Sequence, residues 1–557
     1  MAPSSTLLSA LGLSEPCNDE EITTTLVALL TSAAHDTKPV KNFHELYKLM
    51  TSEGESTYLD PLDMLPILLP CSDPAAAEIV SLIGECGSAK EVVIAAQEAA
   101  ERLRRSFELD GEDEENQDAQ PIDDYENQSR QLFALINLYS SAISRLKLRR
   151  KSPSETIRPL LKELESLLSV SAPFLKVNHT RMTLSLCVEL VLVCHKWAMS
   201  VDSVADGIKD TRAILKSLVD LLALSHVLNI QASIAQRTFE ECFPRLVFRS
   251  SLLDGWKDGD EVVGKLLDSY QTLEVNLYDS KSQVSSSHLI AAAYRPPSDL
   301  SPLPLLTFLL PILISSIQTN TLLDESLAVL LRSLHSWRSN TPTNSLPQEI
   351  TAPLMNVLPA IASIHPDPQT RHQTFRTLFL LLASSDDKLR FQHLVELAGH
   401  SEFPQMRVAA IGLVKENVLQ ALGVATIAEK SNDPLVGPLF MRTFGPILFR
   451  PNPPQLFDDE TLEMGEFQES PEPARLVECL SFYYVLMQRD TKNLTGINDK
   501  DMFKTIDANL LAPLRRNISR WMDEGPSATQ GHLHISSLVS LRISLERIDS
   551  AREGLAK

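Results

Sequence analysis

The sequence predicts an all-α protein built as a degenerate HEAT- or armadillo-like helical-repeat solenoid. Apolar residues recur with helical spacing along most of the 557 residues, with short breaks between segments. Glycine is scarce, with 19 residues, whereas α/β enzymes place glycine at phosphate-binding turns. Aromatic residues make up only 6% of the chain and β-branched runs are short, which argues against sandwiches and propellers.

Several helix starts are marked by a capping side chain followed by proline. The pairs are Ser152-Pro153, Asp367-Pro368 and Asp433-Pro434. The side-chain oxygen can accept from a backbone N–H of the first turn, and proline lacks only an N–H that would have no partner there. We therefore expect a helix to begin at each pair.

The clearest repeat unit covers residues 366–422, where two helical patterns precede Pro404 and a third follows it. Two or three helices within roughly 40–47 residues match the period of HEAT and armadillo repeats. Such a unit cannot bury its apolar face alone, so neighbouring units must stack. The chain shows no strict self-similarity, and the repeats are therefore expected to be degenerate.

The stretch FPQMRVAAIGLVKENVLQAL, residues 403–422, places Arg407 among small and branched apolar residues. At helical spacing Arg407 projects within the apolar arc, near Val414. A buried arginine requires a hydrogen-bonded carboxylate partner. We expect Arg407 to be structural and to pair with Asp386 or Asp387, which open the preceding helix. Contact with a protein partner is the alternative.

Changes in composition divide the chain into four regions. An N-terminal helical region covers 1–107, and a middle helical region covers 129–295. Between them, residues 108–128 are rich in acidic groups and poor in apolar ones, which predicts a disordered linker. Residues 296–557 are expected to form C-terminal HEAT-like repeats, with a proline-rich acidic loop at 449–474.

The charge and cysteine pattern restrict the partners and the compartment. The net charge of −21, from 72 acidic and 51 basic residues, disfavours direct binding of nucleic acid or anionic membranes and suits a basic partner. Seven cysteines show no CxxC spacing, and the start of the chain lacks the features of a secretory signal. We expect reduced thiols in the cytoplasm, with the nucleus as a second location. The apolar run 302–317 contains three prolines, and we expect it to be too short for a membrane span.

No motif for catalysis or cofactor binding occurs in the chain. Phosphate-binding, dinucleotide-binding, nucleophile-elbow and zinc-protease signatures are all missing from the sequence. Cys187, Cys194 and His195 have helical spacing, which favours buried thiols over a metal site. His532 and His534 have no nearby third ligand and are expected to face solvent. The sequence therefore predicts a non-enzyme with no catalytic, cofactor-binding or metal-binding residues, and it leaves the partner-binding residues undefined.

Four segments resemble one known family of helical proteins. They are TRHQTFRTLFLLL (370–382), KLRFQHLVEL (388–397), MRVAAIGLVKENV (406–418) and NLLAPLRRNISRW (509–521). Together they resemble the family that unites fungal YAP-binding proteins, the plant lateral-root protein (ALF) and animal glomulin. The resemblance is most specific over 366–422.

This resemblance implies a non-catalytic HEAT-like adaptor or scaffold that binds a regulatory protein. The first expectation is an oxidative-stress adaptor whose partner is a leucine-zipper stress transcription factor. One alternative is a glomulin-like inhibitor that covers the RING subunit of a cullin-RING ubiquitin ligase. A further alternative is a transport receptor or a scaffold of the kinetochore or another large complex. We expect the main interface within 300–557, where regular repeats support the 449–474 loop.

Overall fold

The computed structural model shows two compact units with purely helical regular structure in the part of the chain that it describes, so the prediction of an all-α repeat fold is confirmed. The first unit comprises residues 1–234 and 249–297, and the second comprises 235–248 and 298–557. The residues described are 8, 11, 13, 18–51, 58–112, 122–148, 150–201, 205–247, 250, 252–278, 283–297, 300–340, 344–427, 433–457, 462–523 and 535–556.

The helices are numbered along the chain, and twelve of those that the structure describes precede residue 297. They are α1 (Asp19–His35), α2 (Phe43–Met50), α3 (Pro61–Leu68), α4 (Pro74–Cys86), α5 (Ala89–Glu112), α6 (Ile122–Ile143), α7 (Pro153–Ser171), α8 (Val177–Val201), α9 (Ala205–Ser225), α10 (Ile234–Cys242), α11 (Trp256–Thr272) and α12 (Ser286–Tyr294).

The first unit is a stack of helices in two layers. In one layer α1, α3, α5, α7 and α9 contact each other in succession, and in the other α2, α4, α6 and α8 do the same, with α11 against α8. Consecutive helices also contact across the layers, as α5 and α6 do. Each helix thus buries its apolar stripe against neighbours in both layers, which is how a helical repeat acquires a continuous core.

The second unit contains α10 and the helices that follow residue 298. The latter are α13 (Pro302–Thr319), α14 (Leu323–Asn340), α15 (Gln348–Ile364), α16 (Pro368–Ala383), α17 (Asp387–Val395), α18 (Pro404–Ile427), α19 (Pro438–Leu448), α20 (Met464–Glu469), α21 (Glu472–Arg489), α22 (Lys500–Ile506), α23 (Ala512–Asp523) and α24 (Ile535–Ala556). Here α13, α15, α18, α21 and α24 contact in succession, while α14 packs on both α13 and α16.

Residues 235–248 belong to the second unit although the chain then returns to the first. Polar groups of α10 contact α14 and α16: the Ala235 N–H donates to Asp324 Oδ1 at 3.0 Å, and Gln373 Nε2 donates to Gln236 Oε1 at 2.8 Å. The units therefore differ from the four contiguous regions expected from the sequence. The regions 1–107 and 129–295 contribute to one unit, except for this crossing segment.

Two of the three expected helix starts are confirmed. Ser152 forms a capping box at the start of α7, and Asp367 accepts from two N–H groups of the first turn of α16. Asp433 also caps, but it starts only a 3₁₀ turn, Pro434–Val436. The α-helix begins four residues later, at Pro438, because Gly437 before it adopts an extended conformation, the one that a following proline favours.

The predicted disordered linker, 108–128, is helical at both ends. Helix α5 continues to residue 112 and α6 begins at residue 122, so the prediction is wrong for 108–112 and 122–128. Residues 113–121 lie outside the described residues.

An aromatic stack explains why these helices extend so far. Phe174, between α7 and α8, stacks on Phe107 of α5 with the ring centroids 5.7 Å apart and on Tyr125 of α6 at 5.6 Å. Phe107 is fully buried. The contacts among the three rings offset the entropy of ordering the adjoining helical turns.

Judged by length and composition alone, three of the described helices could cross a membrane. They are α8, α13 and the first 22 residues of α18. The expectation that the run starting at Pro302 is too short is therefore wrong, because α13 has 18 residues. Each of the three packs on at least two other helices of its own unit. Their apolar residues thus supply contacts between and within the layers.

Candidate functional site

The clustered thiols of α8 are not arranged for nucleophilic catalysis or metal binding. Cys187 and Cys194 are buried, and burial raises the pKa of the Cys187 thiol strongly and that of Cys194 to about 12. Burial also lowers the pKa of His195. Within the described ranges no group of three His, Cys, Asp or Glu side chains could hold a metal ion. His532 and His534 lie outside those ranges.

Two half-buried thiols, Cys71 and Cys242, and the buried thiol of Cys479 also stay protonated at neutral pH. Burial raises the pKa of Cys71, that of Cys242 to about 11 and that of Cys479 to about 12, and in Cys479 it outweighs the nearby Arg475. Thiolate is the nucleophilic and metal-binding form of cysteine. These thiols are therefore packing groups, whereas Cys86 is exposed.

Arg407 does not form the expected ion pair. Asp386 is the N-cap of α17 and accepts from the Lys388 N–H at 3.1 Å, while Asp387 accepts from Arg390 at 2.7 Å. The local backbone and a residue one helical turn away thus engage both carboxylates. The Arg407 side chain is half-buried and makes no hydrogen bond or ion pair within the described part of the chain.

Arg390 has the structural role that was expected of Arg407. Its guanidinium bridges Asp387, at 2.7 Å, and Asp433, at 2.6 Å, and the Arg390 and Asp433 side chains are only 13% and 11% exposed. Burial raises the pKa of Asp433 even though Arg390 opposes the shift. The spacing of Asp387 and Arg390, three residues on one helix, was the sequence signal for this pair.

Among the described residues of the second unit, the most buried ion pair lies at the start of α21. Arg475 and Glu472 are 6% and 3% exposed and form a bidentate pair, with Nε to Oε2 at 2.7 Å and Nη2 to Oε1 at 2.6 Å. Arg475 also donates to the carbonyls of Ile447, at 2.8 Å, and Arg450, at 2.6 Å. Although burial opposes the charge, the hydrogen bonds with Glu472 raise the pKa of Arg475. The Asn452 N–H donates to Glu472 at 3.0 Å.

The segment between α19 and α21, residues 449–471, is named the strap. It forms most of the predicted acidic loop 449–474, but α20 and the start of α21 are helical, so the prediction of a plain loop is wrong in part. Two buried rings anchor it: Phe449 packs on Tyr483, with centroids 5.2 Å apart, and Phe467 stacks on Trp521 at 4.9 Å. No sequence pattern predicts these anchors, because they join residues far apart in the chain. Residues 458–461 lie outside the described residues.

A pocket of about 160 Å³ opens between the strap and the first turns of α18 and α21. We name it the Arg407 pocket. Its lining residues are Pro404, Arg407, Val408, Asn452, Pro471, Glu472 and Arg475. Because Glu472 and Arg475 neutralise each other, Arg407 gives the pocket a net charge of about +1. The sequence singled out only Arg407 of this set.

The first unit contains a polar network without an evident chemical role. Asp220 of α9 accepts from Tyr270 of α11 and Ser287 of α12, both at 2.7 Å, and from Lys216. Burial raises the pKa of Tyr270. The donors and acceptors satisfy one another, so the network joins three helices and stabilises the unit.

These features define an all-α helical-repeat protein whose described thiols and ion pairs serve packing. Residues 303–548 match the family model described as uncharacterised protein family, YAP/Alf4/glomulin, and the predicted resemblance to this family is thereby confirmed over that region. The match extends from α13 into α24 and includes the strap and the Arg407 pocket. Members of this family are helical adaptors or scaffolds, generally non-enzymatic, and protein–protein interaction is their general mode of action. No curated protein matches the chain.

Proposed function

We propose that this chain is a non-catalytic adaptor of the oxidative-stress response that binds a leucine-zipper stress transcription factor. The observation that carries the proposal is the family match over 303–548, which covers nearly all of the second unit after residue 298. The interface lies in this unit. The protein acts in the cytoplasm, with the nucleus as a second location.

The anchored strap supports this placement of the interface. Phe449 and Phe467 hold the strap against α21 and α23, and the Leu462 carbonyl accepts from Arg520, at 2.6 Å, and Trp521, at 3.2 Å. A connecting segment that is already fixed on a rigid stack loses little entropy when a partner binds. Recognition residues commonly lie on such segments.

The charge of the chain supports a basic partner. The net charge is −21, and leucine-zipper factors carry a helical basic region that contacts DNA. Opposite charge accelerates association and suppresses binding of acidic competitors. The association rate is therefore expected to fall as salt is raised.

The buried thiols support an adaptor that holds its partner during oxidation and takes no part in the thiol chemistry. Cys187, Cys194 and Cys479 remain protonated, and a protonated thiol is a poor nucleophile. A Cys86→Ser variant, which removes an exposed thiol, is expected to bind the partner as the wild type does.

A glomulin-like inhibitor of cullin-RING ligases is the alternative, because the same family description names glomulin beside YAP. In that case the second unit would cover the RING subunit and exclude the ubiquitin-conjugating enzyme. A transport receptor or a large-complex scaffold is the further alternative.

The test titrates the purified full-length chain against a leucine-zipper stress factor and, in parallel, against the RING subunit of a cullin-RING ligase. Saturable binding of the zipper factor, weakened by salt, is the expected result. RING binding that blocks ubiquitin transfer, without zipper binding, would replace the proposal by the inhibitor role. Binding of neither partner would refute both.

A further inference from the structure

We propose that the Arg407 pocket is an anchor site for one acidic side chain, an aspartate or glutamate, of the protein partner. This inference rests on the proposed function only in taking the partner to be a protein. The site is formed by the start of α18, the strap and the start of α21, and Arg407 is its recognition residue.

The size of the pocket restricts the ligand to a single side chain. A volume of about 160 Å³ is well below the roughly 300–1,000 Å³ of small-molecule sites. It is nevertheless larger than the roughly 30 Å³ that one water molecule occupies in the liquid, so a short side chain can enter. Pockets that receive one anchor side chain are typical of protein interfaces.

The distribution of hydrogen bonds gives the pocket its charge preference. Arg475 directs donors to Glu472, to two carbonyl oxygens and toward Cys479 Sγ at 3.5 Å, so its guanidinium is fully engaged. Glu472 is equally occupied by Arg475 and by the Asn452 N–H. Among the charged residues of the pocket, Arg407 alone keeps its donors available, since no described residue pairs with it.

A carboxylate is the group that best matches this arrangement. The guanidinium has five N–H donors in a planar fork, and a carboxylate can accept two of them in parallel. Partial burial already removes some water from Arg407, so a carboxylate would replace lost hydration with charge-assisted hydrogen bonds. A basic or apolar side chain would leave the cation unpaired.

The surrounding helices reinforce the same preference. The pocket lies at the first residues of α18 and of α21, where the helix dipoles are positive. The buried Arg475–Glu472 pair and the flanking prolines, Pro404 and Pro471, hold the walls in place. A preformed wall reduces the entropy lost on binding.

The preference also fits the proposed partner. Leucine zippers carry glutamates at the edges of their apolar seam. A net charge of −21 attracts the basic region of such a protein but provides no defined contact, whereas one cationic pocket can fix the register of the bound helix.

The test uses a phage-displayed library of random linear peptides selected on the full-length chain. Binders that require the pocket are expected to share an aspartate or glutamate. Fluorescence polarisation then measures their Kd for the wild type, for Arg407→Gln and for a matched control, Arg442→Gln, which changes an exposed arginine of α19 outside the pocket. The Arg407→Gln variant should raise Kd about tenfold or more, and the control should not.

Two further changes show that the contact is direct. Replacing the peptide glutamate by glutamine should raise Kd about as much as Arg407→Gln does, with no further loss when both are combined. Arg407→Glu should abolish binding, and a lysine in the peptide at the acidic position should restore it. Thermal unfolding of each variant controls for folding.

The outcomes separate this inference from the proposed function. Peptides without an acidic residue, or equal binding to wild type and Arg407→Gln, would overturn the anchor site. If the zipper factor binds the wild type and Arg407→Gln equally, the proposal of an anchor site fails and the proposed adaptor role stands. If acidic peptides bind through Arg407 but neither protein partner binds, the anchor site stands and the proposed partners fail.

Discussion

Removal of Glu472 is expected to destabilise the second unit strongly, because its carboxylate is buried and pairs with a buried arginine. The Glu472 side chain is 3% exposed, and its carboxylate accepts hydrogen bonds from Nε and Nη2 of Arg475. In Glu472→Ala, Arg475 stays buried beside the Ile447 and Arg450 carbonyls without its counter-charge. The Asn452 N–H also loses its acceptor.

The expected cost follows from these contacts. Removing one member of a buried ion pair costs about 3–5 kcal/mol, because the remaining charge has neither water nor a partner. The matched control is the double variant Glu472→Leu with Arg475→Met, which removes both charges and retains most of the volume. Replacing a whole buried pair by apolar groups is often close to neutral, so the double variant should recover most of the loss.

Urea unfolding of the full-length chain, followed by circular dichroism and by tryptophan fluorescence, measures both effects. Trp521 reports on the second unit because it packs on Phe467 of the strap. The part of the fluorescence transition that comes from the second unit, which holds Trp337 and Trp521, should move to lower urea in Glu472→Ala and move back in the double variant. A loss below about 1 kcal/mol in the single variant would refute the argument that the pair is buried and essential.

The other predictions concern three separate positions. Arg407→Ala should change the free energy of unfolding by no more than about 1 kcal/mol, because no described residue pairs with Arg407. A loss of about 3 kcal/mol or more in the same urea assay would support the packing role expected from the sequence. Phe174→Ala should lower the free energy of unfolding by about 1–3 kcal/mol, since it removes two ring contacts. It should also speed amide exchange at the end of α5 and the start of α6. Unchanged exchange would contradict the claim that the aromatic stack orders these helix ends. Burial lowers the pKa of His226 from 6.5 to about 4, so the unfolded chain binds a proton in this interval that the folded chain does not. Stability should therefore be complete above about pH 6.5 and fall by about 3 kcal/mol as the pH drops to about 4, and His226→Asn should flatten that part of the pH profile.

Helix type and many helix starts could be predicted because they depend on local physics. The capping oxygens of Ser152 and Asp367 act on N–H groups within three residues, and the apolar periodicity is visible in each segment. The start at Asp433 was misplaced because Gly437 and Pro438 interrupt the first turn. Even this error has a local cause.

The candidate site could not be predicted because its contacts are not local. The pairing of Arg407 depended on whether Asp386 and Asp387 were free, and a cap and a neighbouring arginine occupy both. The Arg407 pocket brings together residues more than 60 positions apart, such as Arg407 and Arg475. No spacing in the sequence records that proximity.

The same reason explains the division into units. Residues 235–248 join α14 and α16 through Asp324 and Gln373, which lie about ninety or more positions further along the chain. Composition changes gradually around this segment, so no sequence signal separates it from its neighbours.

Hydrogen–deuterium exchange of the full-length chain, with and without a saturating leucine-zipper factor, shows directly whether the second unit carries the interface. Bound partner is expected to slow exchange in the second unit, most strongly at the start of α18, in the strap and at the start of α21, and Arg407→Gln is expected to weaken this protection. Protection confined to the first unit, or no protection anywhere under conditions where the partner is bound, would contradict the claim that the second unit carries the interface.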